Sequence, residues 1–229
     1  MNQAKKVVAL VPMRHHSVRV PGKNYKIIAG KPLFHHILTT LQNCPEISQI
    51  VVDTDSEDII EGIQKDYPNV MVINRPNYLT ADTVPMNEIL MYDTEIVPAD
   101  LYIQTHSTNP LLKSETISSA IQTLIQNIPA YDSLFSVTRQ QTRYWDNLSR
   151  PINHNPAILI RTQDLPPIYE ENSCIYVFTR ETLKNKRNRI GERPYLFEIE
   201  RSEAFDIDEE LDFLLADLML KHRAQTGQG

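Results

Sequence analysis

The residues best suited to chemistry lie in two stretches far apart in the chain. The first is the loop Met13-Arg14-His15-His16-Ser17-Val18-Arg19-Val20-Pro21-Gly22-Lys23-Asn24, with three cations, a hydroxyl and a carboxamide around a Pro-Gly turn. Oxyanions in a desolvated crevice need several convergent donors, so this set suits a polyphosphate. A basic surface loop between a strand and a helix would have the same composition. The second stretch is Asp206-Ile207-Asp208. On an extended segment alternate side chains point the same way, which puts the two carboxylates together. Like charges side by side are costly unless a cation shares them. Hard oxygen ligands near a phosphate loop indicate Mg²⁺, held by Asp206 and Asp208 with the phosphates. The competing account is an acidic helix start, because a helix follows through Leu211, Leu214, Leu215 and Leu218 to Lys221-His222-Arg223.

Alternating strands and helices must position these groups. Val7-Val8-Ala9-Leu10-Val11 reads as a strand buried on both faces of a parallel sheet, emptying at Pro12 into the basic loop. An open α/β sheet places its ligand at such a carboxyl end. Pro32 to Leu41 predicts a helix, Ile50-Val51-Val52-Asp53 a strand, Ser56 to about Tyr67 a helix and Val70 to Ile73 a third strand. Leu101-Tyr102-Ile103-Gln104 predicts a fourth, central strand, followed by a helix from Ser114 to near Ile128 and a strand from Tyr131 to Arg139. This beat calls for a mostly parallel sheet flanked by helices. From Tyr144 to Pro156 the alternation breaks into an Asn- and Pro-rich stretch that predicts an extended or hairpin excursion. Within it Trp145 would either anchor a contact or fill its own core.

Composition narrows the classes. With 229 residues, 41% of them hydrophobic, the chain can bury one substantial α/β core, and a single domain over residues 1–229 is expected. A net charge of -6 argues against nucleic acid or an anionic membrane as partner. No apolar run is long enough to span a bilayer, and Met1 to Lys6 leads straight into a strand. Two isolated cysteines, Cys44 and Cys174, suit neither a disulfide framework nor a thiolate metal site, so a reducing, cytoplasmic setting is expected.

Several stretches together resemble the acylneuraminate cytidylyltransferases, the CMP-sialic acid synthetase-like family. Its nucleotide loop, Ala-Arg-Gly-Gly-Ser-Lys-Gly-hydrophobic-Pro-x-Lys-Asn, falls in register with Arg14, Ser17, Pro21, Lys23 and Asn24. His15-His16 and Val18-Arg19 depart from it, standing where the family has small residues and Lys-Gly. Arg75-Pro76-Asn77-Tyr78-Leu79-Thr80-Ala81-Asp82-Thr83 is similar to the family's Arg-Pro-x-x-Leu-x-x-Asp-Thr turn beside the cytosine, although Asp82-Thr83 would equally cap the helix beginning near Pro85. Gln104 to Leu111 resembles Leu-Gln-x-Thr-Ser-Pro-Leu with an extra-looking Asn109, and Arg161-Thr162-Gln163-Asp164 before Asn172 and Tyr176 matches Arg-x-Gln-Asp and Asn-x-x-hydrophobic-Tyr. Asp206-Ile207-Asp208 matches the family's Asp-Ile-Asp.

The resemblance implies a Rossmann-like fold of the nucleotide-diphospho-sugar transferase type, with a dimerisation arm at about residues 140–170. It implies a cytidylyltransferase activating a nine-carbon 2-keto sugar acid with CTP, giving a CMP-sugar and pyrophosphate, in a homodimer whose arm helps build the partner's sugar pocket. Arg14, Lys23 and Asp208 would be catalytic, with Mg²⁺ on Asp206 and Asp208. Arg14, Ser17, Lys23, Asn24, Arg75 and Asp82 would bind the nucleotide. Gln104, Arg161, Gln163, Asn172 and Tyr176 would bind the acid, Arg161 through its carboxylate; as a plain strand aromatic, Tyr176 would instead be core. His106 is available as a general base or as a solvated bystander. Pro21-Gly22-Lys23 also matches enzymes for an eight-carbon acid or a phosphonate, and His15-His16 would fit a relative that binds nucleotide without catalysis.

Overall fold

The computed structural model describes residues 5–227. In chain order the elements are β1 (Val7–Leu10), β2 (Ile27–Ile28), β3 (Lys31–Pro32), α1 (Leu33–Gln42), β4 (Ile47–Thr54), α2 (Glu57–Asp66), β5 (Met71–Asn74), α3 (Met86–Ile96), β6 (Leu101–Gln104), α4 (Ser114–Asn127), β7 (Ser133–Gln140), β8 (Ile168–Phe178), α5 (Arg180–Lys186), β9 (Pro194–Glu198) and α6 (Glu210–Thr226). Seven strands form one sheet in the order β5-β4-β1-β6-β8-β7-β9, and β2-β3 is a separate small hairpin. The pairs β5-β4, β4-β1, β1-β6 and β7-β9 are parallel; β8 runs antiparallel to both neighbours. The sheet is therefore mostly parallel, with β6 in the middle.

The two-residue period of a strand divides the core between the two faces of the sheet. Val7, Ala9, Leu101 and Ile103 pack with Phe34 and Ile37 of α1, Ile59 of α2 and Ile121 of α4. Val8, Leu10 and Tyr102 point the other way, against Leu90 of α3 and Leu183 of α5. A third, smaller cluster joins Val20, Ile28 and Leu33 to Ile207, Phe213 and Ala216. It lies beneath the basic loop and ties that loop to α6. On α6 the leucines at 211, 214, 215 and 218 face outward while Phe213 and Ala216 are buried. No helix among the described residues is long and apolar enough to cross a membrane.

Strand order supplies the site. The chain winds outward from β1 through β4 to β5, then returns to place β6 on the other side of β1. That reversal leaves a crevice at the carboxyl ends of β1 and β6, between the loops that follow them. The excursion after β7 is irregular, with only a bridge between Trp145 and Pro151. Trp145 is half exposed and packs edge-on against His154, so it does not fill the sheet's core. Leu148, Ile152, Ile158 and Leu159 are exposed beside it.

Candidate active site

A cleft of about 500 Å³ opens at this crevice, lined from the basic loop, the Arg75–Asp82 turn, the loop after β6, Ser173 of β8, Arg189 and the Asp206–Asp208 segment. The basic loop leaves β1 under backbone control: Val11 and Met13 donate to the carbonyls of Val51 and Asp53, at 2.9 Å each. Val20 is fully buried and pins the loop's far limb. Gly22 follows with φ +66, and a Cβ there would sit 2.8 Å from the Tyr25 ring, so the turn needs glycine. The turn aims Lys23 across the cleft at the backbone carbonyl of Ile207.

Ile207 explains how two carboxylates are held together. Its side chain is fully buried in the third cluster, and its N–H donates to the Thr108 carbonyl at 3.0 Å. Asp206 and Asp208 therefore flank an anchored residue. Asn109, 1% exposed, donates to the Phe205 carbonyl and to Asp206 Oδ1, both at 3.4 Å. Asn109 looked like an insertion in the sequence; here it supports the acidic segment. Desolvation and the neighbouring Asp208 charge raise the Asp206 carboxyl above its ordinary value. Desolvation also lowers the Lys23 ammonium, although Asp206 and Asp208 both oppose that shift. Arg19 donates to Asp208 at 2.6 Å.

The other expected nucleotide residues take different parts. Arg14 pairs with Asp82 at the cleft mouth, both largely exposed. Ser17 accepts weakly from the Val20 N–H at 3.4 Å. Asn24 is buried; it donates to the Arg14 carbonyl at 2.7 Å and accepts from Ser107 Oγ at 2.6 Å, tying the β1 and β6 loops together. Arg75 lines the cleft floor, with Nε on the buried Asp53 carboxylate and Nη2 on the Asp53 carbonyl. Its Nη1 has no partner. Burial and the nearby Asp53 charge push the Asp93 carboxyl behind this pair up to about 9. Asp93 therefore keeps a proton at pH 7 beside the Arg75–Asp53 ion pair, and burial raises the Asp53 carboxyl as well. Of the two loop histidines, His15 turns away, its N–H on Asp55 and its Nδ1 2.9 Å from Ser56 Oγ. His16 lines the cleft.

Among the expected acid-binding residues the structure makes several corrections. Gln104 is fully buried: its amide donates to the Thr105 carbonyl and to His106 Nε2, both at 3.0 Å, and its Oε1 accepts from Arg189 Nη1 at 2.6 Å. It positions neighbours and does not reach the cleft itself. His106 spends its Nε2 lone pair on that amide, and burial with the Arg189 and Lys23 charges pushes its ring down to about 4. A neutral ring with its acceptor nitrogen occupied is not placed to act as a base. Asn172 faces β7, bonded to Ser136 and Thr138, and does not line the cleft. The Tyr176 ring is core, and its hydroxyl bonds Glu171 and Ser173. Arg161 and Gln163 lie on the exposed excursion, outside this cleft, and Arg161 is paired with Asp164 at 2.7 Å. Arg189, not foreseen from the sequence, does line the cleft; it sits in a run of charged residues that reads as a solvated loop.

Among the described residues no group of three or more His, Cys, Asp or Glu is placed to hold a metal ion. Asp206 and Asp208 form a two-carboxylate donor set of hard oxygens lining the cleft. Such a pair suits a Mg²⁺ completed by substrate oxygens and water.

Comparison with known proteins gives a consistent picture. Residues 8–225 match the family model described as cytidylyltransferase. The chain is 26% identical over 228 residues to the post-translational flagellin modification protein B of Campylobacter coli, covering 95% of this chain and 96% of that protein. It is also 26% identical to the CMP-N,N'-diacetyllegionaminic acid synthase of Legionella pneumophila, over 94% and 97% of the two chains. It is 25% identical to the N-acylneuraminate cytidylyltransferase A of Danio rerio, but spans only 51% of that protein's length. A solved CMP:2-keto-3-deoxy-manno-octonic acid synthetase complexed with CTP shares the fold, with a TM-score of 0.73 at 16% identity over 95% and 99% of the chains. The chain belongs to the cytidylyltransferase family.

Proposed function

We propose that the chain activates a nine-carbon 2-keto sugar acid with CTP, releasing pyrophosphate and forming a CMP-sugar. The observation that carries this reading is the Lys23 ammonium, desolvated in a switch-point cleft and facing the paired carboxylates Asp206 and Asp208. Relatives named for legionaminic, pseudaminic and N-acylneuraminic acids favour a nine-carbon acceptor over an eight-carbon one.

The anomeric hydroxyl attacks the α-phosphorus of CTP, the bond to the β-phosphate oxygen breaks, and the hydroxyl proton passes to solvent. Such a transfer needs charge neutralisation and in-line placement more than covalent help from the protein. Arg14, Ser17 and Lys23 meet the phosphates from the loop, while Asn24 holds that loop in place. The cytosine lies against the Arg75–Asp82 turn, where the backbone of 80–82 can read its edge and Arg75, buried in its pair with Asp53, holds the floor beneath it. Mg²⁺ on Asp206 and Asp208 would neutralise triphosphate charge and lower the pKa of the attacking hydroxyl.

The chain works as one domain over residues 1–229. The excursion at about 140–170 acts as an arm in a homodimer, where Arg161 and Gln163 would reach the partner's acceptor. Its exposed apolar side chains, Trp145, Leu148, Ile158 and Leu159, support that role. Two buried free cysteines fit a reducing, cytoplasmic setting. The test is pyrophosphate release with CTP, ATP, GTP or UTP across a panel of eight- and nine-carbon 2-keto acids. Release only with CTP and a nine-carbon acid is expected; release with another nucleotide, or with none of the acids, overturns the reading.

A further inference from the structure

Arg189 is a half-buried guanidinium with no carboxylate within 4 Å among the described residues. Ion pairs there engage its neighbour Arg187, which meets Glu88, but not Arg189 itself. Its guanidinium carbon lies 3.5 Å from the centre of the Tyr176 ring, and Nη1 is held by Gln104 Oε1 at 2.6 Å. The backbone N–H of Arg189 reaches Asn87 Oδ1 at 3.3 Å, so α3 fixes the loop from below. Stacking and one neutral hydrogen bond orient the fork, and Glu171, itself held by the Tyr176 hydroxyl, attracts it only from beyond ion-pair distance, so no carboxylate pairs with it directly. A sheltered cation without a directly paired counter-ion is costly, and an anion entering the cleft would relieve that cost.

The basic loop supplies the phosphate cations Arg14 and Lys23, with Arg19 paired to Asp208. The charges of Lys23 and Arg189 both act on His106, which lines the same cleft. Arg189 reaches the cleft from the segment after α5, a different element from the basic loop. Arg161 is a poorer receptor within this chain, since Asp164 already neutralises it. We propose that Arg189, oriented by Gln104 and Tyr176, binds the carboxylate of the acceptor and selects acids over neutral sugars. This rests on the reading of the cleft as a sugar-acid site. A planar fork held by stacking offers its remaining N–H groups to a carboxylate in bidentate fashion.

Calorimetric binding separates this proposal from the proposed activity, because it requires no turnover. A panel of 2-keto sugar acids is titrated into wild type, and the best-bound acid is compared with its carboxamide. Wild type should favour the acid at least 10-fold. In R189M that ratio should fall to near 1, while CTP affinity and the thermal midpoint stay close to wild type. R189K, which keeps the charge but loses the fork, should give an intermediate ratio and serves if R189M folds poorly. A ratio retained in these variants, no acid bound by wild type, or loss of CTP affinity with the ratio intact each overturns the assignment. Failure of CTP turnover alongside a collapsed ratio would instead condemn the proposed activity and leave the carboxylate site standing.

Discussion

Replacing Asp93 with Asn should stabilise the protein, and by more as the pH rises. Asp53 and Asp93 are each 1% exposed, and Arg75 bonds only Asp53. Neither Asp53 Oδ2 nor either oxygen of Asp93 has an N–H or hydroxyl partner, so a proton on Asp93 supplies the missing hydrogen bond. Burial and the Asp53 charge hold the Asp93 carboxyl at about 9, whereas an unfolded chain ionises Asp at ~3.9. Between those values the unfolded chain releases a proton that the fold retains. Stability is therefore lost as pH rises, by up to ~1.36 kcal/mol per pH unit, or at most ~4 kcal/mol by pH 7. Asn offers an N–H where the acid offers its O–H, and it does not titrate. Allowing for imperfect replacement of that bond, D93N should gain about 2 kcal/mol at pH 7 and about 1 more at pH 8. Urea unfolding of both proteins at pH 6, 7 and 8 reads the gap. His36 and His106, both depressed to about 4 by burial, cost stability as pH falls through ~6.5, but they do so equally in the two proteins. A gap that does not change with pH, or a variant weaker throughout, would mean that Asp93 is ionised in the fold.

Three further outcomes follow from the cleft. K23A should lower kcat/KM by roughly 10²–10³-fold, the loss of one preorganised donor; lost CTP affinity with normal turnover at saturation would assign Lys23 to ground-state binding alone. D208N should cut turnover by at least about 100-fold with the unfolding midpoint nearly unchanged, because its pair with Arg19 is largely exposed and worth only ~0–1 kcal/mol; full activity in the variant, or in wild type with excess chelator, removes the metal role. Light scattering should give a dimer that W145A/L159A converts towards monomer, and an active wild-type monomer would contradict the arm's role.

The parallel half of the sheet was legible because its strands are short β-branched runs emptying into polar loops, as at Val7–Val11 and Ile50–Asp53. β9 was not foreseen. It starts at Pro194 on the sheet edge, and its half-exposed residues carry little periodic contrast. Within the site, the loop cations and the two acidic residues could be named because their spacing is local. The roles of Gln104, Asn172 and Tyr176 could not be read so directly. All three have chemistry suited to a sugar, yet burial turns Gln104 and Tyr176 into supports and a bond to Thr138 turns Asn172 towards β7. The Arg75-Asp53-Asp93 cluster depends on contacts 22 or more residues apart, which no local pattern encodes. Arg189 was hidden for a similar reason: only folding brings its loop over Tyr176.

The central claim is attack on the α-phosphorus of CTP by a sugar acid, and the fate of a labelled α-phosphate tests it most directly. Incubation with α-³³P-labelled CTP and the preferred acid should move the label into a CMP-sugar in equal amount to the unlabelled pyrophosphate released. Label recovered as free CMP, as CDP, or unchanged in CTP across the whole acid panel would contradict the account.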